Sequence, residues 1–290
     1  MFKGSMIPIV TPFKEGKIDE AGLKNLIEFH VERGSDAIIP CGTTGESATL
    51  THKEHEQLIE TCLEAVNGRL PVIAGTGSNS TDEAVKLTSY AQRAGADGAL
   101  LITPYYNRPT QEGLYQHYRT IALETDLPLI LYNVPSRTGT NMLPETVARL
   151  SELSSIVGIK EASGSLRQIC DIIPLCGEQC RVFSGDDFTN YAILTAGGYG
   201  VISVTANIGP ERIAAMWDSF ESGDYAASRD IHYQLINLHN AMFLETNPIP
   251  VKAALGLMGK IEPDMRLPMT TMTPGALGEL KKVMADYKLL

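Results

Sequence analysis

Positive charge is scarce in this 290-residue chain: 24 lysines and arginines stand against 34 aspartates and glutamates, a formal net charge of −10 with an isoelectric point of about 5.1. A surface this acidic repels phosphate backbones, which argues against nucleic acid as a general partner. Small anions are not excluded, since a few local cations can bind them in a cleft. The cysteines are few and odd in number: Cys41, Cys62, Cys170, Cys176 and Cys180. The closest two, Cys176 and Cys180, fit neither a CxxC redox motif nor a usual zinc spacing. Reduced thiols in a cytoplasmic protein are therefore expected. HExxH is absent, and Thr11-Pro12-Phe13 follows the first apolar run where a dinucleotide-binding fold would place its glycine fingerprint. The N-terminal apolar run is too short for a signal peptide. Residues 188–210 carry no charge and are long enough on paper to cross a bilayer. Gly197-Gly198, Asn207, Gly209 and Pro210 interrupt them, so they read as a helix, a turn and a buried strand in a soluble protein with no membrane partner.

What is present is ordinary globular composition, 43% hydrophobic and 20% charged, arranged with a period. Short apolar runs recur at Met6–Val10, Asp36–Pro40, Pro71–Gly75, Gly98–Thr103, Pro128–Tyr132, Ile156–Lys160, Arg181–Gly185 and Gly200–Val204. Each is nearly continuous rather than alternating, as a strand buried on both faces should be. Helical segments lie between them. Thr51-His52-Lys53-Glu54 and Ser80-Thr81-Asp82-Glu83 match capping boxes, and Ala84, Leu87, Ala91 and Ala94 supply an inward stripe. Eight strand–helix units predict an α/β (β/α)8 barrel over residues 1–221. From Ser222 onward only helical patterns remain, so residues 222–290 are expected to form a C-terminal helical region.

In such a barrel, chemistry sits at the C-terminal ends of the strands. Those ends carry Gly42-Thr43-Thr44-Gly45-Glu46, Pro104-Tyr105-Tyr106-Asn107, Tyr132-Asn133-Val134-Pro135-Ser136-Arg137, Lys160-Glu161 and Gly185-Asp186-Asp187. Lys160 closes an apolar run, where burial would lower its pKa and leave a neutral amine able to attack a ketone. A lysine simply reaching solvent from a strand end fits the same position. Tyr132 could move protons if hydroxyls such as Thr43, Thr44 and Tyr106 relay them; all four also fit ordinary turn and strand-end roles. Arg137 suits a carboxylate or a solvated loop equally well. Glu161 should face away from Lys160 and be structural. Gly75-Thr76-Gly77 is a weak phosphate motif; inward amides at Gly42–Gly45 suit a carboxylate better. His52 and His55 share a helix face but have no third ligand, and solvated positions near the helix cap are the simplest reading.

Gly42-Thr43-Thr44-Gly45-Glu46-Ser47, Tyr105-Tyr106-Asn107-Arg108-Pro109, Tyr132–Gly139, Gly158-Ile159-Lys160-Glu161 and Asn247-Pro248-Ile249-Pro250-Val251-Lys252 resemble the dihydrodipicolinate synthase family, within the wider pyruvate-dependent lyases. The resemblance implies a (β/α)8 lyase that condenses pyruvate with L-aspartate 4-semialdehyde in lysine biosynthesis by the diaminopimelate route. It implies that Lys160 forms an imine with pyruvate, that Tyr132, Thr43 and Tyr106 relay protons, and that Tyr106 comes from a neighbouring subunit of a homotetramer. Arg137 would bind the semialdehyde carboxylate and Thr44 the pyruvate carboxylate, with Gly185 and Ile202 lining the pocket. No metal or cofactor other than the covalent imine is implied. Ser47, Ala48, His52, His55, Gly77, Asn79, Glu83 and Tyr105 match an allosteric site for L-lysine at a dimer interface. Thr246 departs from many relatives without touching a catalytic position. Two other functions compete: an aldolase releasing pyruvate from a sugar acid, and a pyruvate sensor that binds without turnover. A metal-dependent aldolase lacks its ligand cluster.

Overall fold

The computed structural model describes residues 2–290 and contains eight parallel strands. They are β1 (Gly4–Pro8), β2 (Ala37–Ile39), β3 (Ile73–Gly75), β4 (Gly98–Ile102), β5 (Leu129–Asn133), β6 (Ile156–Glu161), β7 (Arg181–Ser184) and β8 (Gly200–Ile202). Helices alternate with them: α1 (Glu20–Glu32), α2 (His52–Val66), α3 (Thr81–Ala94), α4 (Gln111–Leu123), α5 (Pro144–Ser151), α6 (Leu166–Cys176), α7 (Asn190–Ala196) and α8 (Pro210–Glu221). This is the expected (β/α)8 fold. Three more helices end the chain, α9 (Tyr225–Ala241), α10 (Ile249–Leu257) and α11 (Pro274–Asp286). No helix among the described residues is long and apolar enough to cross a membrane.

The chain divides into two compact units. One comprises Pro71–Ile202 with the N-terminal residues up to Lys3; the other joins Gly4–Leu70 to Ser203–Leu290. Within the first, β3 to β8 pair in parallel in chain order, and β5 and β6 set Tyr132 opposite Lys160 and Asn133 opposite Glu161. The strands are mostly apolar because both faces are buried, and polar groups such as Asn133, Lys160 and Glu161 come at their C-terminal ends. Gly77 follows β3 for a steric reason: an added Cβ would lie 2.3 Å from the Ile102 backbone nitrogen. That close approach, not phosphate, explains the glycine.

Within the second unit, β1 pairs with β2, and Asn207 ties the end of β1 by donating to the Pro8 carbonyl at 3.0 Å and accepting from Val10 N–H at 3.2 Å. Thr51 and Glu54 form the expected capping box on α2. Ser80 does not form the second one. Its side chain makes no cap bond, and the Glu83 carboxylate instead takes the hydroxyl of Ser78. The inward stripe of α3 is Ala84, Thr88 and Ala91, with Leu87 and Ala94 half-buried; Thr88 is admitted because its hydroxyl bonds Thr76 and the Ala84 carbonyl. A two-stranded hairpin, Phe13–Lys14 with Lys17–Ile18, is too short to leave a pattern in the sequence.

The second unit also buries an ion pair. Lys252 Nζ lies 2.6 Å from Glu46, their side chains 0% and 2% exposed, with the ammonium 4.4 Å from the centre of the Phe13 ring. Burial pushes the lysine down and the glutamate opposes it. Lys252→Met removes the ammonium and leaves the buried Glu46 carboxylate only the Arg266 backbone N–H at 3.4 Å and that residue's more distant charge, and it is expected to destabilise this unit by roughly 3–5 kcal/mol. Adding Glu46→Gln should recover much of that loss, as read by urea denaturation.

Candidate active site

Lys160 occupies the fifth position of β6 and is 5% exposed. Its aliphatic chain lies against Gly185, where an added Cβ would meet Lys160 Cγ at 2.9 Å and Cε at 3.0 Å. Only glycine leaves that channel open. The amine sits 4.3 Å from the ring centre of Tyr132, which is 7% exposed and directly opposite on β5. Burial takes the ammonium out of water and lowers its pKa from 10.5 to about 7. The Asp187 carboxylate opposes that shift and the Arg137 guanidinium adds to it. Lys160 is thus a buried amine, substantially neutral near pH 7, with a carboxylate in its field.

Arg137 is exposed on a one-turn helix, Pro135–Thr138, rather than in an irregular loop. Thr138 anchors that turn by donating to the carbonyls of Val134 and Thr140. Ile202 is buried in β8. Asp187 is buried and accepts from Asn190 Nδ2 at 3.1 Å. It was visible in the sequence only as a strand-end carboxylate with no assigned role; its effect on Lys160 emerges from folding.

Tyr106 stands apart from the buried pair. It is 91% exposed and held at φ +72°, with Arg108 at φ +47° two residues on. Left-handed backbone at non-glycine residues costs of order 1–3 kcal/mol each and persists where surroundings enforce it. Asn107 contributes, donating to the Asn79 carbonyl at 2.9 Å. Around this loop, Asn79 donates to the Tyr105 carbonyl at 3.2 Å, and Gly77 and Glu83 are half-buried nearby in sequence. The Tyr105 phenol is pushed up by burial and by the Glu83 charge, against hydrogen bonds to Ser78 and the Asn79 backbone.

In the second unit, the Gly42–Glu46 loop is braced at both ends by left-handed Cys41 and Glu46, φ +58° and +54°. Thr11 donates to the Gly45 carbonyl and Asn247 Nδ2 donates to Thr44 Oγ1 at 3.0 Å. Thr44 is buried and Thr43 half-buried. Asn247, Lys252 and Glu46 hold this loop, a function that their motifs did not reveal beforehand. Ser47 is half-buried, and Ala48 and His52 are exposed. His55 corrects the expectation of a solvated helix residue: it is 5% exposed, because it lies on the face of α2 that also buries Leu58, Ile59 and Cys62.

Lys160 is expected to react with formaldehyde and cyanoborohydride with a pH midpoint of about 7, read by peptide mass. A carboxylate raises and a guanidinium lowers an ammonium's pKa, so Asp187→Asn should move the midpoint down and Arg137→Met should move it up.

The sequence profile of the dihydrodipicolinate synthetase family matches residues 1–286. A protein of Syntrophus aciditrophicus called 4-hydroxy-tetrahydrodipicolinate synthase is 58% identical over 290 residues, all of both chains. Among solved structures, dihydrodipicolinate synthase from Aquifex aeolicus superposes with a TM-score of 0.98 at 47% identity, covering 99% of each chain. A chloride-inhibited dihydrodipicolinate synthase from Acinetobacter baumannii complexed with pyruvate gives 0.98 at 45% identity, covering 100% of each. One from Cyanidioschyzon merolae with lysine bound gives 0.96 at 42%, covering 100% of this chain and 99% of that one. With the profile and the full-length relatives in agreement, this chain belongs to the dihydrodipicolinate synthetase family of enzymes.

Proposed function

We propose that this enzyme condenses pyruvate with L-aspartate 4-semialdehyde to 4-hydroxy-tetrahydrodipicolinate through an imine on Lys160. One observation carries the reading: the buried Lys160 amine, depressed to about 7 and facing the Tyr132 ring. A neutral amine adds to the pyruvate ketone, and loss of water leaves a C=N bond. Protonated, that imine withdraws electrons from C3, so a C3 proton leaves and the resulting enamine attacks the aldehyde carbon. The ring nitrogen of the product is the semialdehyde's own amine, which adds to C2 and displaces Lys160. The atoms then balance: one pyruvate and one semialdehyde give the cyclic product and one water. The residues present suit an iminium, since Asp187 already favours positive charge on this nitrogen.

Tyr132, Thr43 and Tyr106 are assigned as the proton relay, Thr44 to the pyruvate carboxylate, Arg137 to the semialdehyde carboxylate, and Gly185 and Ile202 to the pocket wall. A side chain as exposed as Tyr106, held in a strained backbone, suits delivery to a neighbouring subunit, and a homotetramer is proposed on that basis. The reaction needs no metal or cofactor beyond the covalent imine. Placement in the cytoplasm belongs to the same reading. The Acinetobacter baumannii relative complexed with pyruvate supports the substrate.

L-lysine is proposed as an inhibitor, held by Ser47, Ala48, His52, His55, Gly77, Asn79, Glu83 and Tyr105. The lysine-bound Cyanidioschyzon merolae relative supports it. Glu83 offers a carboxylate to the ligand ammonium, and Tyr105 adjoins the relay residue Tyr106.

Borohydride with pyruvate should add one reduced pyruvyl group to Lys160, and a coupled assay should show turnover with aspartate semialdehyde but not with sialic acid or ketodeoxygluconate. Labelling retained in Lys160→Ala, or binding of pyruvate without turnover, would discard this function. Millimolar L-lysine should slow the wild type, and Glu83→Ala should be at least tenfold less sensitive. Equal inhibition of both proteins would remove Glu83 from the lysine site.

A further inference from the structure

Glu161 ends β6 one residue beyond Lys160, and the chemistry above makes no use of it. Strand alternation sends its side chain to the opposite face, where the residue is 1% exposed. A carboxylate out of water needs compensation, and here neutral donors supply it. Asn133 Nδ2 lies at 3.0 Å, Gln168 Nε2 at 3.0 Å and the Ser163 backbone N–H at 2.7 Å. The donors are themselves fixed. Asn133 Nδ2 also donates to Asn141 Oδ1 at 2.8 Å, Asn133 Oδ1 accepts from Met142 N–H at 3.0 Å, and Asn141 Nδ2 donates to Gln168 Oε1 at 2.8 Å.

The location of this network decides what it does. Asn133 and Glu161 form the register pair immediately after Tyr132 and Lys160 on the same two strands. Their side-chain bond therefore straps together the strand ends whose other face carries the phenol and the amine. The backbone beside it is engaged as well: Gly185 N–H donates to the Glu161 carbonyl and Ala162 N–H to the Asn133 carbonyl, both at 2.9 Å. An apolar pair would hold two strands together with little preference for angle. A carboxylate meeting several fixed donors admits essentially one arrangement.

We infer that Glu161 is a positioning residue for the imine-forming lysine: with Asn133 and Gln168 it fixes the ends of β5 and β6, and so the placement of Lys160 Nζ against Tyr132. The inference deepens the Schiff-base reading and rests on it. Displacements near 1 Å at a reacting centre cost up to about 100-fold in rate, so a strap at this point has leverage on turnover as well as on stability.

The test compares full-length wild type, Glu161→Gln, Gln168→Leu and the exchange Glu161→Gln with Asn133→Asp, each normalised to folded protein by near-ultraviolet circular dichroism. Turnover and the rate of pyruvate trapping on Lys160 by cyanoborohydride are measured. In Glu161→Gln both should fall at least tenfold while the pyruvate KM stays within about threefold. Gln168→Leu, which removes a single donor, should lose about threefold. The exchange restores a carboxylate–amide bond between the strands and should recover most of the lost rate. Lower stability with unchanged turnover per folded molecule overturns the inference, as does an exchange variant no faster than Glu161→Gln. If Glu161→Gln does not fold, unchanged turnover in Gln168→Leu overturns it. A wild type that turns over but is never trapped sinks the Schiff-base reading instead. A wild type that is trapped at the same rate as Glu161→Gln sinks only the strap.

Discussion

Burial strips the Lys160 amine of hydration water, and the fall of its pKa from 10.5 to about 7 raises the neutral fraction near pH 7 by about three orders of magnitude. That exchange of hydration for reactivity is the constraint the surrounding residues answer to. Gly185 is bare because a methyl group would occupy the lysine's path. Asp187 limits the depression, so the nitrogen keeps part of its affinity for a proton. The folded state bears a stability penalty for this whenever the unfolded chain would bind a proton that Lys160 does not. Between pH 7 and 10 the unfolded lysine is protonated and the folded one largely is not, so stability rises with pH through that window.

A second buried lysine shows what Lys160 would be in other company. Lys252 is at least as dry, but a glutamate oxygen lies 2.6 Å from its nitrogen. That contact favours the ammonium and makes Lys252 a brace for the Gly42–Glu46 loop. Lys160 has a carboxylate only in its wider field and an aromatic face beside it. The two residues differ in partner rather than in depth. The donors around the Glu161 carboxylate are uncharged as well, so they add no positive field close to the Lys160 amine.

Strain marks two further loops. Cys41 and Glu46 bracket the threonine loop, and Tyr106 and Arg108 shape the loop of the exposed tyrosine, all at positive φ without being glycine. Each is held by bonds made elsewhere in its own unit, such as Thr11 to Gly45 and Asn107 to Asn79. Such positions cannot be read from composition, since the residues there are not those that prefer the conformation.

The strands and most helices were legible because apolar runs of fixed spacing and a capping box at Thr51 report local physics. Strand limits shifted by up to two residues where turns and backbone pairing, not hydrophobicity, end a ladder. The second capping box failed because Ser78 competes for Glu83, and Thr88 displaced Leu87 because a buried hydroxyl found partners. Among the candidate residues, the sequence determined which chemical groups stand at the strand ends: a lysine after an apolar run, a tyrosine on the neighbouring strand, an arginine in the turn beyond. Tertiary structure alone decided that the lysine is dry, that Asp187 lies within its field, that His55 is buried and that Glu161 finds three neutral donors. Those properties depend on distances between segments far apart along the chain, and a local pattern of residue types carries no information about them.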